Sequence, residues 1–295
     1  MQGSSLIRRG LAAFATAVTG LVVAGQAAAQ SAEMQELLSG LPVVGHPEDR
    51  AIGFQPAATE LARDIHWLDT MLLWIISGIV VFVLLLLAFV IVRYNRRMHP
   101  EPKRFTHNSP LEVAWTIVPI VILVFIGSFS LPVLFKQQTI PDGDIHIKVT
   151  GYQWYWGYEY VDDGVYFDAF MIGSGNGALT EEVSADLASY GYSDDDFRLA
   201  ADNAVVVPLG ATVVMTVTGA DVIHSWAMPA FGVKQDAVPG RLAQLWFRAE
   251  RPGVYFGQCS ELCGKDHAYM PIVVKVVDRQ TYDAWLAMAQ DEFPV

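Results

Sequence analysis

The chain has 295 residues, 53% hydrophobic and only 17% charged, with 31 acidic against 19 basic side chains and a formal net charge of −12. That composition excludes a disordered chain and a nucleic-acid binder working through a basic face, and two cysteines are too few for a disulfide scaffold. Soluble domains are about one-quarter charged, so a greasy average with an acidic total implies two unlike parts, one in lipid and one in water.

Residues 1–29 open with Arg8 and Arg9, continue through an apolar stretch from Leu11 to Ala24, and end in Ala27-Ala28-Ala29. This is the pattern of a secretory signal cut after Ala29, and its apolar part falls short of the ~20 residues that span hydrocarbon. Residues 30–64 follow as an exported segment. Thr70–Val92 and Val113–Phe135 each hold 23 residues without a charge. As helices they reach roughly 35 Å, enough to cross a ~30 Å core. They predict a transmembrane hairpin over 65–136, with helices at about 67–93 and 111–135. Pro119 and Pro132 lie inside the second, where membrane helices tolerate proline. The loop 93–110 carries Arg93, Arg96, Arg97, Lys103 and Arg104 against Glu101. That excess puts the loop on the cytoplasmic side and both mature termini outside. Ser109-Pro110-Leu111-Glu112 reads as a capping box with proline at the first helical position.

Residues 137–295 contain 22 acidic and 9 basic side chains, a net of −13, so the acidity of the chain belongs to this one exported domain. Short β-type runs occupy Ile145–Val149, Ala204–Pro208, Ala211–Val217, Leu242–Phe247, Val254–Gln258 and Ile272–Val277. Turn signals such as Pro239-Gly240 and Pro252-Gly253 separate them, which predicts an antiparallel sandwich or barrel. Gly-rich and acidic sequence at about 173–199 reads as an insertion with a short helix, and about 281–290 as a terminal helix. Asp194-Asp195-Asp196 in the insertion reads as solvated surface. Between Gly151 and Tyr160, Tyr152, Trp154, Trp156, Tyr158 and Tyr160 alternate, the pattern of one strand face.

Both cysteines sit in Cys259-Ser-Glu-Leu-Cys263-Gly-Lys-Asp-His267-Ala-Tyr-Met270-Pro, and His224 lies upstream in Asp221-Val-Ile-His224-Ser-Trp. Two thiolates, two imidazoles and a thioether form a soft ligand set that favours copper over magnesium or calcium. A single blue-copper site needs one Cys, two His and a weak axial Met, so the extra thiolate suits a bridge to a second copper. An exported cysteine pair is ordinarily a disulfide, but a disulfide needs neither the imidazoles nor the thioether. A structural Cys2His2 zinc site is the other alternative.

Gly257-Gln258-Cys259-Ser260-Glu261-Leu262-Cys263 with His267 and Met270-Pro271 resembles subunit II of haem–copper cytochrome c oxidases, the aa3-type of α-proteobacteria in particular. His224-Ser225-Trp226, Lys234 to Arg241, Gly151 to Trp156, Arg104 to Asn108 and the two-helix anchor extend the resemblance. It implies a membrane hairpin followed by an all-β, cupredoxin-like Greek-key sandwich that holds a dinuclear copper A centre. Cys259 and Cys263 would bridge the coppers, with His224 and His267 each on one, and Met270 and the Glu261 carbonyl as weak axial ligands. The Glu261 side chain would reach a magnesium or manganese ion shared with subunit I. Trp154 would be the point at which electrons from cytochrome c enter, with Glu159, Asp168, Asp202 and Asp221 facing that basic partner. Glu112 would stand near the mouth of a proton pathway into subunit I. The implied setting is a bacterial inner membrane, two-pass, with the copper domain periplasmic. The implied partners are subunit I, subunit III, cytochrome c and membrane lipid, and no nucleic acid. A related quinol oxidase subunit would lack the Cys and His ligands, all of which are present here.

Overall fold

A computed structural model describes residues 32–101, 104–173 and 177–295, so the predicted signal over 1–29 lies outside the described residues. Glu60–Thr139 forms one unit, and Ile140–Val295 with the residues preceding Glu60 forms the other.

The first unit is two helices, α1 (Glu60–Arg93) and α2 (Ser109–Gln138), both long and apolar enough to cross a membrane. Helix α1 begins at Glu60 rather than near 67. Hydropathy marks only the lipid-facing part of a helix. The polar turns from Glu60 to His66 are good helix formers, and Glu60 suits the positive end of the dipole. Helix α2 is capped one residue earlier than the expected Ser109. Asn108 Oδ1 accepts from Leu111 N–H at 3.3 Å, and Glu112 Oε1 accepts from Asn108 N–H at 3.1 Å. The reciprocal pattern of a capping box survives, with asparagine, an equally good cap, as its first member. Lys136 of α2 binds Glu60 and Asp64 of α1, each at 2.6 Å, tying the two helices where their charged ends meet.

Among its described residues, the second unit has eleven strands. A four-stranded sheet runs in the order β1 (Val43–Gly45), β10 (Gly253–Gln258), β11 (Pro271–Val277), β5 (Val205–Pro208). A five-stranded sheet runs β4 (Val165–Ala169), β3 (Tyr155–Tyr160), β2 (Ile145–Tyr152), β6 (Thr212–Gly219), β9 (Ala243–Arg248). Strands β7 (His224–Met228) and β8 (Val233–Ala237) make a separate hairpin. The six strands read from the sequence all form, but the sandwich is not purely antiparallel. Pairs β1–β10, β2–β6 and β5–β11 are parallel. Strands far apart in sequence become neighbours through long crossovers, and such connections permit parallel pairing. Strand β7 escapes a pattern-based reading because every residue of His224–Met228 is buried, which erases the alternation.

The core is aromatic. Trp156, Trp226, Tyr158, Tyr160, Phe231 and Phe247 are fully buried. Their polar tips are paired: Trp226 Nε1 donates to Tyr158 Oη at 3.2 Å, and Trp156 Nε1 to the Met270 carbonyl at 3.2 Å. The expected continuous aromatic face from Tyr152 to Tyr160 is interrupted. Strand β2 ends at Tyr152 and β3 starts at Tyr155, with Tyr152 and Tyr155 paired across a tight hairpin. Trp156, Tyr158 and Tyr160 share the inner face, while Trp154 sits in the turn.

Within the insertion, α3 (Glu181–Ser189) is capped by Thr180. Asp196 is not solvated as expected. It is buried and accepts from Ser193 N–H and Oγ, at 2.8 and 2.9 Å, closing the short turn Asp194–Asp196. The terminal helix α4 (Arg279–Glu292), capped by Asp278, turns Tyr282, Trp285 and Ala289 inward.

Candidate metal centre

Two adjacent strands and one hairpin deliver the ligands. The loop joining β10 to β11 carries Cys259, immediately after β10, then Cys263, His267 in a single turn, and Met270 immediately before β11. His224 is the first residue of β7. Pairing of β10 with β11 closes the loop, with Gln258 opposite Pro271, so residues at its two ends lie side by side. Ser260 N–H donates to the Ser225 carbonyl at 3.0 Å and stitches that loop to β7 beside His224.

The cysteines are free, buried thiols with their sulfurs 4.0 Å apart, about twice a disulfide bond length. Cys263 Sγ lies 3.5 Å from His267 Nδ1 and 3.5 Å from Met270 Sδ, and Cys259 Sγ lies 3.3 Å from the Glu261 carbonyl. Ligand atoms of His224, Cys259 and Cys263 all fall within 4.8 Å of one another. All six expected ligand residues therefore converge on one place. Only the backbone of Glu261 faces it, and the Glu261 side chain is exposed.

His224 is held in a definite orientation. Its Nε2 pairs with Asp221 Oδ1 at 2.8 Å, leaving Nδ1 buried and without a hydrogen-bond partner. A buried ring nitrogen is seldom left so, and a carboxylate on the far nitrogen is how metal-binding imidazoles are usually oriented. The same carboxylate accepts from Val222 N–H at 2.6 Å and Gln153 N–H at 2.8 Å. Gly151 supplies the close approach behind the ring, since a Cβ there would lie 2.9 Å from His224 side-chain atoms.

The thiols feel opposite fields. Burial raises Cys259, but the adjacent His224 imidazole and backbone hydrogen bonds outweigh it and hold the thiol below its usual range. Burial and the neighbouring Cys259 charge push Cys263 up to about 12. One thiolate is favoured and the second opposed, so a cation between them removes the repulsion. Soft sulfur and imidazole donors, an unpartnered nitrogen and paired thiols fit a thiophilic metal such as copper.

Trp154 is half-buried, and its Nε1 donates to the Cys263 carbonyl at 3.3 Å. Gln153 Nε2 donates to the same carbonyl at 2.8 Å. The turn is thus bound to Cys263 through this carbonyl and to His224 through Asp221. Gln153 was not singled out from the sequence, although its place beside Trp154 in Tyr152-Gln153-Trp154 offered a signal.

The sequence matches two family models, "Cytochrome C oxidase subunit II, periplasmic domain" over residues 145–277 and the corresponding transmembrane domain over residues 47–133. The chain belongs to the cytochrome c oxidase subunit II family. It is 58% identical over 280 residues to cytochrome c oxidase subunit 2 of Cereibacter sphaeroides, covering 94% of this chain and 90% of that one. It is 42% identical over 253 residues to a probable cytochrome c oxidase subunit 2 of Rickettsia bellii (strain RML369-C), covering 85% and 88%. A solved periplasmic domain of subunit II from Bradyrhizobium japonicum is 44% identical and aligns with 52% of this chain and 99% of that one, with a TM-score of 0.44.

As a subunit II, the chain is one part of a multisubunit oxidase, and its two apolar helices are the family's transmembrane domain. The four acids expected to face a partner differ in their surroundings. Glu159 pairs with Lys148 at 3.0 Å. Asp168 accepts from Tyr166 Oη at 2.8 Å, and Asp202 accepts from Phe170 N–H at 2.8 Å and Asn203 N–H at 2.7 Å. Asp221 binds His224. Glu112 is half-buried and takes part in the α2 cap.

Proposed function

We propose that this chain is the electron-accepting subunit of a respiratory cytochrome c oxidase. It would take electrons from cytochrome c at a dinuclear copper A centre and deliver them to haem a in subunit I, where oxygen is reduced to water with proton pumping. Cys259, Cys263, His224, His267 and Met270, with the Glu261 carbonyl, would hold the copper. When bound, such a centre spreads one electron over two metals, so little geometry changes on oxidation or reduction. The observation that carries this reading is the buried, unpartnered His224 Nδ1 facing two free thiols.

The protein residues supply the rest. Asp221 fixes the tautomer and direction of His224, and burial of both cysteines keeps water from the sulfurs. Trp154 accepts the incoming electron at the surface, and its hydrogen bond to the Cys263 carbonyl gives a short covalent and hydrogen-bonded route to a ligand. Asp168 and Asp202 steer a basic cytochrome, with Glu159 moderated by Lys148 and Asp221 acting mainly on His224. The Glu261 side chain would help hold a magnesium or manganese ion with subunit I, and Glu112 would stand at a proton pathway into it. Residues 1–29 direct export, both mature termini and the copper domain are periplasmic, and subunit III completes the assembly.

The test is to purify the full-length chain, load it with copper and record metal content with electron paramagnetic resonance. Two coppers per chain sharing one unpaired electron are expected. One copper, bound zinc, or a disulfide without metal overturns the reading.

A further inference from the structure

Away from the cysteine loop, the second unit encloses another polar site. Lys275 sits in the middle of β11, on a strand whose every residue is buried, and is itself only 8% exposed. Its ammonium makes no hydrogen bond or ion pair with any described residue. Its one partner is the face of Tyr192, 5.2 Å from the ring centroid. Burial without a counter-charge pushes the ammonium down to about 8. The side chain borders a cavity of about 230 Å³. The cavity is roofed by Met34 and Leu38 from the N-terminal segment and walled by α4.

The lining is chemically divided. Among the described residues, Lys275 is its one cation, while Asp202 and Glu292 contribute acids. Tyr190, Tyr192 and Trp285 present aromatic rings. A plain anion would meet the ammonium but be repelled by the carboxylates, and a plain cation the reverse. A molecule carrying both charges satisfies both walls. Asp202 Oδ1 already accepts two backbone N–H groups, and rings dominate the remaining wall, which suits a methylated ammonium that needs no hydrogen bonds. The volume lies below the ~300–1,000 Å³ of drug-sized sites, which restricts the ligand to a few heavy atoms.

We propose that this cavity binds a small zwitterion of the betaine class, with its carboxylate on Lys275 and its quaternary ammonium against the aromatic and acidic wall. Apart from Asp202, which the proposed function also places on the cytochrome face, the site stands clear of the copper reading, because none of its lining residues belongs to the cysteine loop or to β7.

Isothermal titration of glycine betaine into the purified oxidase containing this subunit tests it, with acetate and tetramethylammonium as half-ligands. Saturable betaine binding is expected, at least about tenfold tighter than either half-ligand. Lys275→Met, which keeps the apolar stem, is expected to weaken betaine about tenfold while tetramethylammonium, freed of the ammonium's repulsion, binds no more weakly than before. Absence of saturable betaine binding overturns the proposal, as does equal binding of acetate or equal betaine affinity in the variant. The half-ligand comparison uses the unaltered protein, so the proposal can fail even where the variant does not assemble.

Discussion

The two units treat the same side chains in opposite ways. In the hairpin, Leu85, Phe82 and Ile91 point outward, and neither span buries residues within its apolar window. In the strand unit, Trp156, Trp226 and Phe247 are fully enclosed. Lipid is as apolar as leucine, so burying an apolar side chain in the hairpin gains little, and its helices persist because every backbone group is satisfied within the segment. In water the same burial supplies about 25 cal/mol per Å² and drives the strand unit together. Polar groups differ correspondingly. The hairpin keeps its charges at the helix ends, as in the Lys136 pairs with Glu60 and Asp64, whereas the strand unit buries His224 and Lys275. A buried polar group in a well-packed β domain stands out against its surroundings and points to a site.

The sharpest way to break this contrast is at the cysteines. Cys263→Ser is expected to abolish the two-copper resonance signal entirely while leaving the far-ultraviolet circular dichroism of the chain unchanged. Next in size is Phe247→Ala, which should destabilise the strand unit by about 3–5 kcal/mol, read from a shifted denaturant midpoint.

Lys275→Met tests the burial of charge. The usual lysine value of 10.5 falls to about 8 in the folded chain, so the folded state resists protonation. Below pH 8 the ammonium is charged in both states and the full penalty, at most about 3 kcal/mol, opposes folding. As pH rises from 8 towards 10.5 that penalty disappears. The variant should therefore be more stable than the parent at pH 7, with the gain shrinking towards pH 10. A gain independent of pH would mean that packing, not charge, is responsible.

Asp221→Asn should weaken copper binding by about 10–100-fold, because the amide no longer fixes His224 as a carboxylate does. Competition with a chelator measures this, and an unchanged affinity would return Asp221 to a purely surface role. The smallest effect belongs to Leu85→Ala, expected to shift the stability of the isolated chain by less than about 0.5 kcal/mol. A loss comparable to Phe247→Ala would erase the distinction between the units.

The parts legible in advance were those decided by local pattern. Charge-free runs marked both spans, and alternation with Pro-Gly turns marked six strands. The spacing of Cys259, Cys263, His267 and Met270 marked a soft metal site. The failures share one cause, that tertiary burial overrides a local signal. Full enclosure hid β7, the tight turn at Gln153 and Trp154 broke an alternation that read as one strand, and Asp196 became a buried turn closer despite its acidic neighbours. Strand β1 is three residues long, too short to carry a period, and exists because β10 offers it an edge.

The sequence by itself determined that the chain has a lipid-borne hairpin, an acidic β domain and a thiol–imidazole–thioether ligand set, because these depend on composition and spacing along the chain. Only the tertiary structure decided that Asp221 turns His224 Nδ1 towards the thiols, that Gln153 and Trp154 hold the Cys263 carbonyl, and that Lys275 borders a cavity. Each of those depends on residues far apart in sequence meeting within a few ångströms, and the long crossovers between sheets create such meetings.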